Sequence, residues 1–444
     1  MLETVRKAWK VKDIRKRLIY TFICLLIIRL GSQLPLYGVD RNYFASWFEQ
    51  QSALSFFDAL TGGSFTQMSI FALSITPYIT ASIIMQLLTI AIPRLEEWHK
   101  DGEEGRKKIA SITRYLNIVL SIIESLAMAI GFGNQGYFQG GITVTNVIVS
   151  VVSLTAGSAF LMWIGEQITE KGVGNGISIV LLINIISRIP QDLVSLFNKF
   201  IKGKSVANML VAGVIILGVI VLMVAFIVIL NGGERRIKVQ YAKKVQGRKM
   251  VGGQSSYIPL KVNTANVIPV IFASSLMSFP TVIAGFLNVQ PASGAGASIG
   301  QKILKLLDQR SWCNITSLAE FKYTAGLLIY IGLVIFFAYF YTSITFNPLE
   351  VSNNMKRQGG FIPGCRPGKP TTDYLTKVLN HIIFIGACGL TIVAVVPIFF
   401  SGAFGADVSF SGTSLIIIVG VILETMKQIE SLTLVRHYKG FLNY

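Results

Sequence analysis

The sequence predicts an all-α polytopic membrane protein with ten transmembrane helices in two five-helix halves. Three observations carry this. Charged residues make up only 14% of the chain against 52% hydrophobic, and mean hydropathy is +0.59, whereas a soluble protein carries roughly 25% charged residues. Ten apolar runs reach crossing length, at 18–36, 69–92, 115–132, 144–165, 177–197, 208–230, 264–287, 325–345, 378–400 and 410–426. Basic residues alternate between successive loops. With the N-terminus in the cytosol, 30 of the 40 Lys and Arg lie on the cytosolic side, nine outside and Arg29 within the first run. Ten runs place both termini on one side, and this bias makes that side the cytosol.

The basic segment Met1–Arg17 leads into the first run without a small-residue cleavage site, so no cleavable signal is expected. Arg29 is expected to snorkel toward headgroups. Leu54–Met68 is too short and too polar to span. It reads as a short amphipathic piece broken by Gly62-Gly63. Ser69–Ile92 carries no charge but contains Pro77, which removes a backbone hydrogen bond. Broken helices at membrane depth line a cavity or path. The competing reading is a re-entrant loop followed by an ordinary kinked helix. Glu124 sits mid-run in the third helix, either as a functional carboxylate or as an interhelical hydrogen-bonding group. Glu166 and Glu424 fall near cytosolic ends, facing headgroups. Gly172–Gly176 (GVGNG) reads as a tight helix-to-helix turn rather than a phosphate cradle.

The chain divides near residue 200 into an N-terminal half, 1–200, and a C-terminal half, 201–444. Five runs is an odd number, so the halves are expected to be inverted. The second run of each carries a proline, Pro77 and Pro269. Interruptions at matching places in inverted halves point to a central path, although prolines are common in membrane helices. Two long cytosolic loops, 231–263 and 346–377, combine basic residues with Gly and Pro turns. Topology and anionic lipid account for a few such charges. Loops of this length and chemistry fit a polyanionic or acidic partner, such as ribosomal RNA or an acidic protein face.

Enzyme signatures are absent: the sequence has no HExxH, GxSxG or P-loop. His99, His381 and His437 are far apart. Cys24, Cys313, Cys365 and Cys388 are scattered, so no disulfide, metal site or cofactor is expected. A secondary transporter also uses inverted repeats and broken helices, but it needs coupling groups near the midplane, and only Glu124 qualifies.

Several segments closely resemble the SecY family, the pore subunits of Sec protein-conducting channels: Ser69–Thr89, Gly165–Ser178 (GEQITEKGVGNGIS), Arg235–Val262, Ile268–Ser275 (IPVIFASS) and Phe361–Lys369 (FIPGCRPGK). The similarity runs from Val11 to about Phe441 and weakens in the outer loops near 133–143 and 288–323. The resemblance implies an hourglass pore passing unfolded secretory proteins and releasing membrane proteins laterally. It implies a plug at Leu54–Met68 that includes Phe56, Phe57, Leu60, Gly62, Gly63 and Phe65. It also implies a pore ring of Ile79, Ile83, Leu181, Ile185, Ile271 and Ile417. The first two pairs of that ring have i, i+4 spacing, which puts each pair on one helix face. A lateral gate between the second and seventh helices would use Gln86, Glu124 and Asn263. Arg248, Lys249 and Arg366 match cytosolic contact residues. Cys365 stands where a larger aliphatic or aromatic residue is expected. The implied partners are the small subunits SecE and SecG, the SecA motor, the ribosome, signal peptides, nascent or unfolded chains and membrane lipids, in a bacterial plasma membrane. An accessory family member serving few substrates is the narrower alternative.

Overall fold

The computed structural model describes the chain except residues 1–5, 7, 41–43, 45–57, 59–60, 134–135, 140, 199–205, 242–243, 247–248, 252–254, 287–288, 290–297, 314–321, 405–411 and 442–444. The chain forms two compact units. The first is Met1–Ser195 with Pro280–Leu304 and Val421–Tyr444; the second is Leu196–Phe279 with Lys305–Gly420.

The helices in chain order are α1 (Lys12–Gly31), α2 (Thr76–Ala91), α3 (Pro93–Lys100), α4 (Glu103–Gly133), α5 (Val144–Lys171), α6 (Gly176–Leu196), α7 (Val206–Gly232), α8 (Ile268–Phe286), α9 (Ile299–Leu307), α10 (Ala325–Thr345), α11 (Pro348–Arg357), α12 (Lys369–Phe404) and α13 (Gly412–Phe441). Each of the ten apolar runs overlaps one of them. Among the described residues, six helices are long and apolar enough to cross a membrane. Helices α2 and α3, bent from one another by 107°, make a seventh if they are counted together as one broken span.

The two prolines behave differently from the sequence expectation. Pro77 is the second residue of α2 and Pro269 the second of α8, so both start helices rather than interrupt them. A first-turn proline lacks only an N–H that would have no intrahelical partner. The chain before each is non-helical, and in each case the residue three before the proline is left-handed: Ser74 at φ 51° and Asn266 at φ 53°. The same local device thus precedes both α2 and α8. The prolines inside helices are Pro190, Pro280 and Pro397.

In the first unit, α4 and α5 are joined by a polar ladder. Asn117, Ser121 and Ser125 recur every four residues on α4. Asn117 Nδ2 donates to Met162 Sδ (3.2 Å), Ser121 Oγ to Ser158 Oγ (3.2 Å), and Ser125 Oγ lies 3.2 Å from Thr155 Oγ1. Such bonds join helices that share no hydrophobic driving force in lipid. Beyond the ladder, Arg114 Nε donates to Glu166 Oε1 at 2.6 Å, so Glu166 has a partner rather than merely facing headgroups. The 172–176 segment is a turn, with Gly174 at φ 85°. Val173 N donates to Thr21 Oγ1 (3.1 Å), and Arg17 Nη1 to Gly172 O (3.3 Å), which ties α1 to this turn.

Gly157 on α5 faces the non-helical stretch before α2, where a Cβ would collide with the carbonyl group of Ile70. A backbone obstacle cannot rotate away. Gly157→Val is therefore expected to destabilise the protein by about 1–3 kcal/mol, the usual cost of overpacking. Thermal denaturation in detergent checks this, and an unchanged transition would show that α5 can shift.

In the second unit the extramembrane loops form sheets. Strands β1 (Glu234–Tyr241), β4 (Ser255–Lys261) and β5 (Gly360–Phe361) make an antiparallel sheet in the order β4-β1-β5, with Ile237 opposite Ile258 and Gln240 opposite Phe361. Strands β2 (Lys244–Gln246) and β3 (Lys249–Val251) form a separate hairpin. Ile237 and Val239 point into a cluster with Leu260, Met355, Ile362, Leu375 and Ile382, while Arg236 and Lys238 are exposed. The two long loops thus share one core, which seats them on the start of α12.

Candidate functional site

The segment expected to form a plug is described at Asp58 and from Thr61 onward. Phe56, Phe57 and Leu60 lie outside the described residues. The segment folds on its own polar groups. Gly63 N donates to Asp58 O (3.1 Å), Phe65 N to Thr61 Oγ1 (3.2 Å), Thr66 N to Asp58 Oδ1 (2.9 Å) and Ser69 N to Ser64 O (3.0 Å). Gly62 and Gly63 take φ 68° and 84°, which only glycine adopts without strain. At Gly62 a Cβ would also lie 2.5 Å from the Asn184 carbonyl oxygen. Phe65 is buried in a cluster of edge-on rings with Phe44 (5.9 Å) and Phe132 (6.2 Å), and Tyr137 joins it against Phe44.

Helix α6 supplies the surface on which this segment rests. Ser187 Oγ donates to Gly62 O (3.3 Å), Asn184 Nδ2 donates to Ser74 Oγ (3.0 Å), and the Arg188 guanidinium pairs with the Asp58 carboxylate. Asp58 is fully buried. Leu181 and Ile185, both buried, lie on the same stripe of α6 as Asn184 and Arg188, because 181, 184, 185 and 188 follow i, i+3, i+4, i+7 spacing. One helix face therefore carries two expected ring residues and the contacts to Asp58, Gly62 and Ser74.

Ile79 and Ile83 stand one turn apart on α2, half-buried. Ile271 on α8 is half-buried and Ile417 on α13 is buried, both in the second unit. Of the expected gate residues, Gln86 and Glu124 are half-buried on α2 and α4. Asn263 is buried in the second unit, where its Nδ2 donates to Asn231 Oδ1 at 2.7 Å.

On the long loops, Lys249 begins β3, and Arg248 lies outside the described residues. Arg366 is exposed on a tight loop between Gly364 (φ 89°) and Gly368 (φ 105°). The loop is held by Cys365 N donating to Ile362 O (3.0 Å), Thr371 Oγ1 to Arg366 O (2.8 Å) and Ser352 Oγ to Gly368 O (3.1 Å). Cys365 packs half-buried against the loop core. Among the described residues, no group of His, Cys, Asp and Glu side chains could hold a metal ion.

Sequence reasoning missed Asp58, Ser74, Asn184, Ser187 and Arg188. Arg188 counted only as an outer-side charge. The available signal was Asn184 and Arg188 at i, i+4 within an otherwise apolar run, on the stripe of Leu181 and Ile185.

The fold is that of protein-conducting channels. It matches a SecY structure whose plug domain stabilises the closed state of the channel and maintains a membrane seal (TM-score 0.62, 18% identity, 94% of this chain and 92% of that chain). It also matches Sec61 in the canine ribosome–channel complex of the endoplasmic reticulum (TM-score 0.60, 17% identity, 94% and 92%). A profile of the SecY family matches residues 69–426. Protein translocase subunit SecY of Halalkalibacterium halodurans is 41% identical over 450 residues, covering 100% of both chains. The chain belongs to the SecY family.

Proposed function

We propose that the chain is the central pore subunit of a Sec translocase in a bacterial plasma membrane. It passes unfolded secretory proteins outward and releases membrane proteins sideways into the bilayer. The observation that carries this is the 41% identity to a bacterial translocase subunit along the entire length of both chains. Both termini face the cytosol, a placement that the distribution of Lys and Arg supports. The chain is a passive conduit without a catalytic centre. Work comes from a SecA-type motor or the translating ribosome, docked on the basic loops through Arg248, Lys249 and Arg366. Single-span SecE and SecG subunits complete the channel.

Within it, Ile79, Ile83, Leu181, Ile185, Ile271 and Ile417 form the constriction. Branched aliphatic side chains offer ions no ligands and favour local dewetting, yet they yield to chains of varied shape. Gln86, Glu124 and Asn263 border the lateral gate. Residues 54–68 are the plug, with Phe56, Phe57, Leu60 and Phe65 as its apolar contacts and Gly62-Gly63 as its turn. The halves 1–200 and 201–444 act as inverted repeats around the path, and the matching Ser74/Pro77 and Asn266/Pro269 devices support this.

Reconstitution tests the proposal. Vesicles holding the chain with its small subunits and a SecA-type motor should protect an unfolded precursor from added protease in an ATP-dependent way. Uptake of a small solute without precursor protection would favour a transporter. Deleting residues 54–68 should leave a folded protein that opens to ions more often in single-channel recordings. No rise in openings would remove the sealing role of that segment.

A further inference from the structure

We propose that Arg188 is a positioning residue that latches the plug shut through a buried ion pair with Asp58, and that Asp192 receives Arg188 when the plug leaves. This rests on the channel reading above and adds to it what holds the plug closed. Asp58 is fully buried, and its Oδ1 accepts the Thr66 N–H. The remaining charge meets the guanidinium of Arg188, whose side chain is largely covered. A buried carboxylate without a counter-charge is costly, so the pair favours the docked plug.

The neutral contacts lie on the same face of α6: Ser187 to Gly62 and Asn184 to Ser74. The close approach of Gly62 to Asn184 lets the plug backbone reach this seam. Asp192, one turn beyond Arg188, already lies 3.9 Å from Arg188 Nε. When the plug leaves, Asp58 is hydrated and Arg188 shifts fully onto Asp192. No charge is then stranded, and the latch is reversible. Arg188 stands about 10 Å along the helix from Leu181, at 1.5 Å per residue. The latch and the expected constriction are therefore read from one rigid element.

The test uses the full chain with its small subunits in planar bilayers, with precursor translocation measured on the same preparations. Asp58→Asn and Arg188→Gln should each raise opening frequency about tenfold or more. The double variant should open no more often than the more active single, because the pair is already broken in either one. Asp192→Asn should lower openings below the unsubstituted channel, since the Asp192 carboxylate no longer draws Arg188 away from Asp58. A purely structural role for these residues would alter yield or melting without these opposite signs. Unchanged openings in folded single variants, or effects that multiply in the double, would overturn the latch, and a rise with Asp192→Asn would remove Asp192 from it. If the unsubstituted protein fails to translocate precursors, the channel reading fails, while the coupling between Asp58 and Arg188 still decides the latch.

Discussion

Reversing the charge at Arg366, as Arg366→Glu, is expected to abolish motor-driven translocation while leaving the fold and membrane insertion intact. The side chain is exposed and its loop is held from the backbone: Thr371 bonds the Arg366 carbonyl, Ser352 bonds Gly368, and two left-handed glycines flank the tip. None of these contacts uses the guanidinium. Surface changes away from such features shift stability by only about 0.5 kcal/mol. A partner with an acidic face would meet a like charge instead, at a cost of several kcal/mol. That corresponds to a fall of roughly two orders of magnitude or more in productive docking. ATP-dependent precursor protection in vesicles reads the effect, with detergent melting as the control. Normal translocation by a folded variant would remove Arg366 from the docking surface.

The second large effect is expected at the constriction. Ile271→Asn or Ile417→Asn would place a hydrogen-bonding amide in the proposed ring, whose seal would depend on lacking one. Moving a bare ion past a purely aliphatic site is costly because nothing replaces its hydration. An amide recruits water and stabilises the open state. Ion leak should rise about tenfold or more, a shift of about 1.4 kcal/mol. Precursors with defective signal peptides should pass more easily. The second effect separates a protein channel from a transporter, whose midplane substitutions would lower uptake of one solute. Cysteines at Ile79, Ile83, Leu181, Ile185, Ile271 and Ile417 should each crosslink to a cysteine in a trapped translocating chain. A position that stays unreactive does not line the path.

Much of this protein is written locally, and the sequence alone determined that part. Membrane spans depend on mean hydropathy over about 20 residues, a sum that needs no knowledge of neighbours. Gly172–Gly176 was legible as a turn for the same reason. The family was legible because motifs such as GVGNG and FIPGCRPGK stand in this chain as contiguous strings.

Tertiary structure decided the rest. Pro77 and Pro269 read as interruptions inside apolar runs, but the runs include the non-helical stretches before α2 and α8. Hydropathy cannot separate an apolar turn from an apolar helix. The sheet joining the two long loops pairs Gln240 with Phe361, and no local pattern announces a partner that distant. Nor do these helices advertise a functional face, since lipid-facing and protein-facing sides are both apolar. Arg188 counted only as an outer-side charge, and nothing local singled out Asp58. Only folding brings residues 130 positions apart into one buried pair. The physical reason is one of range: hydrophobicity and turn chemistry act over a few residues and are written in order along the chain. Charge pairing and close packing act through space, and they exist only once the chain has returned on itself.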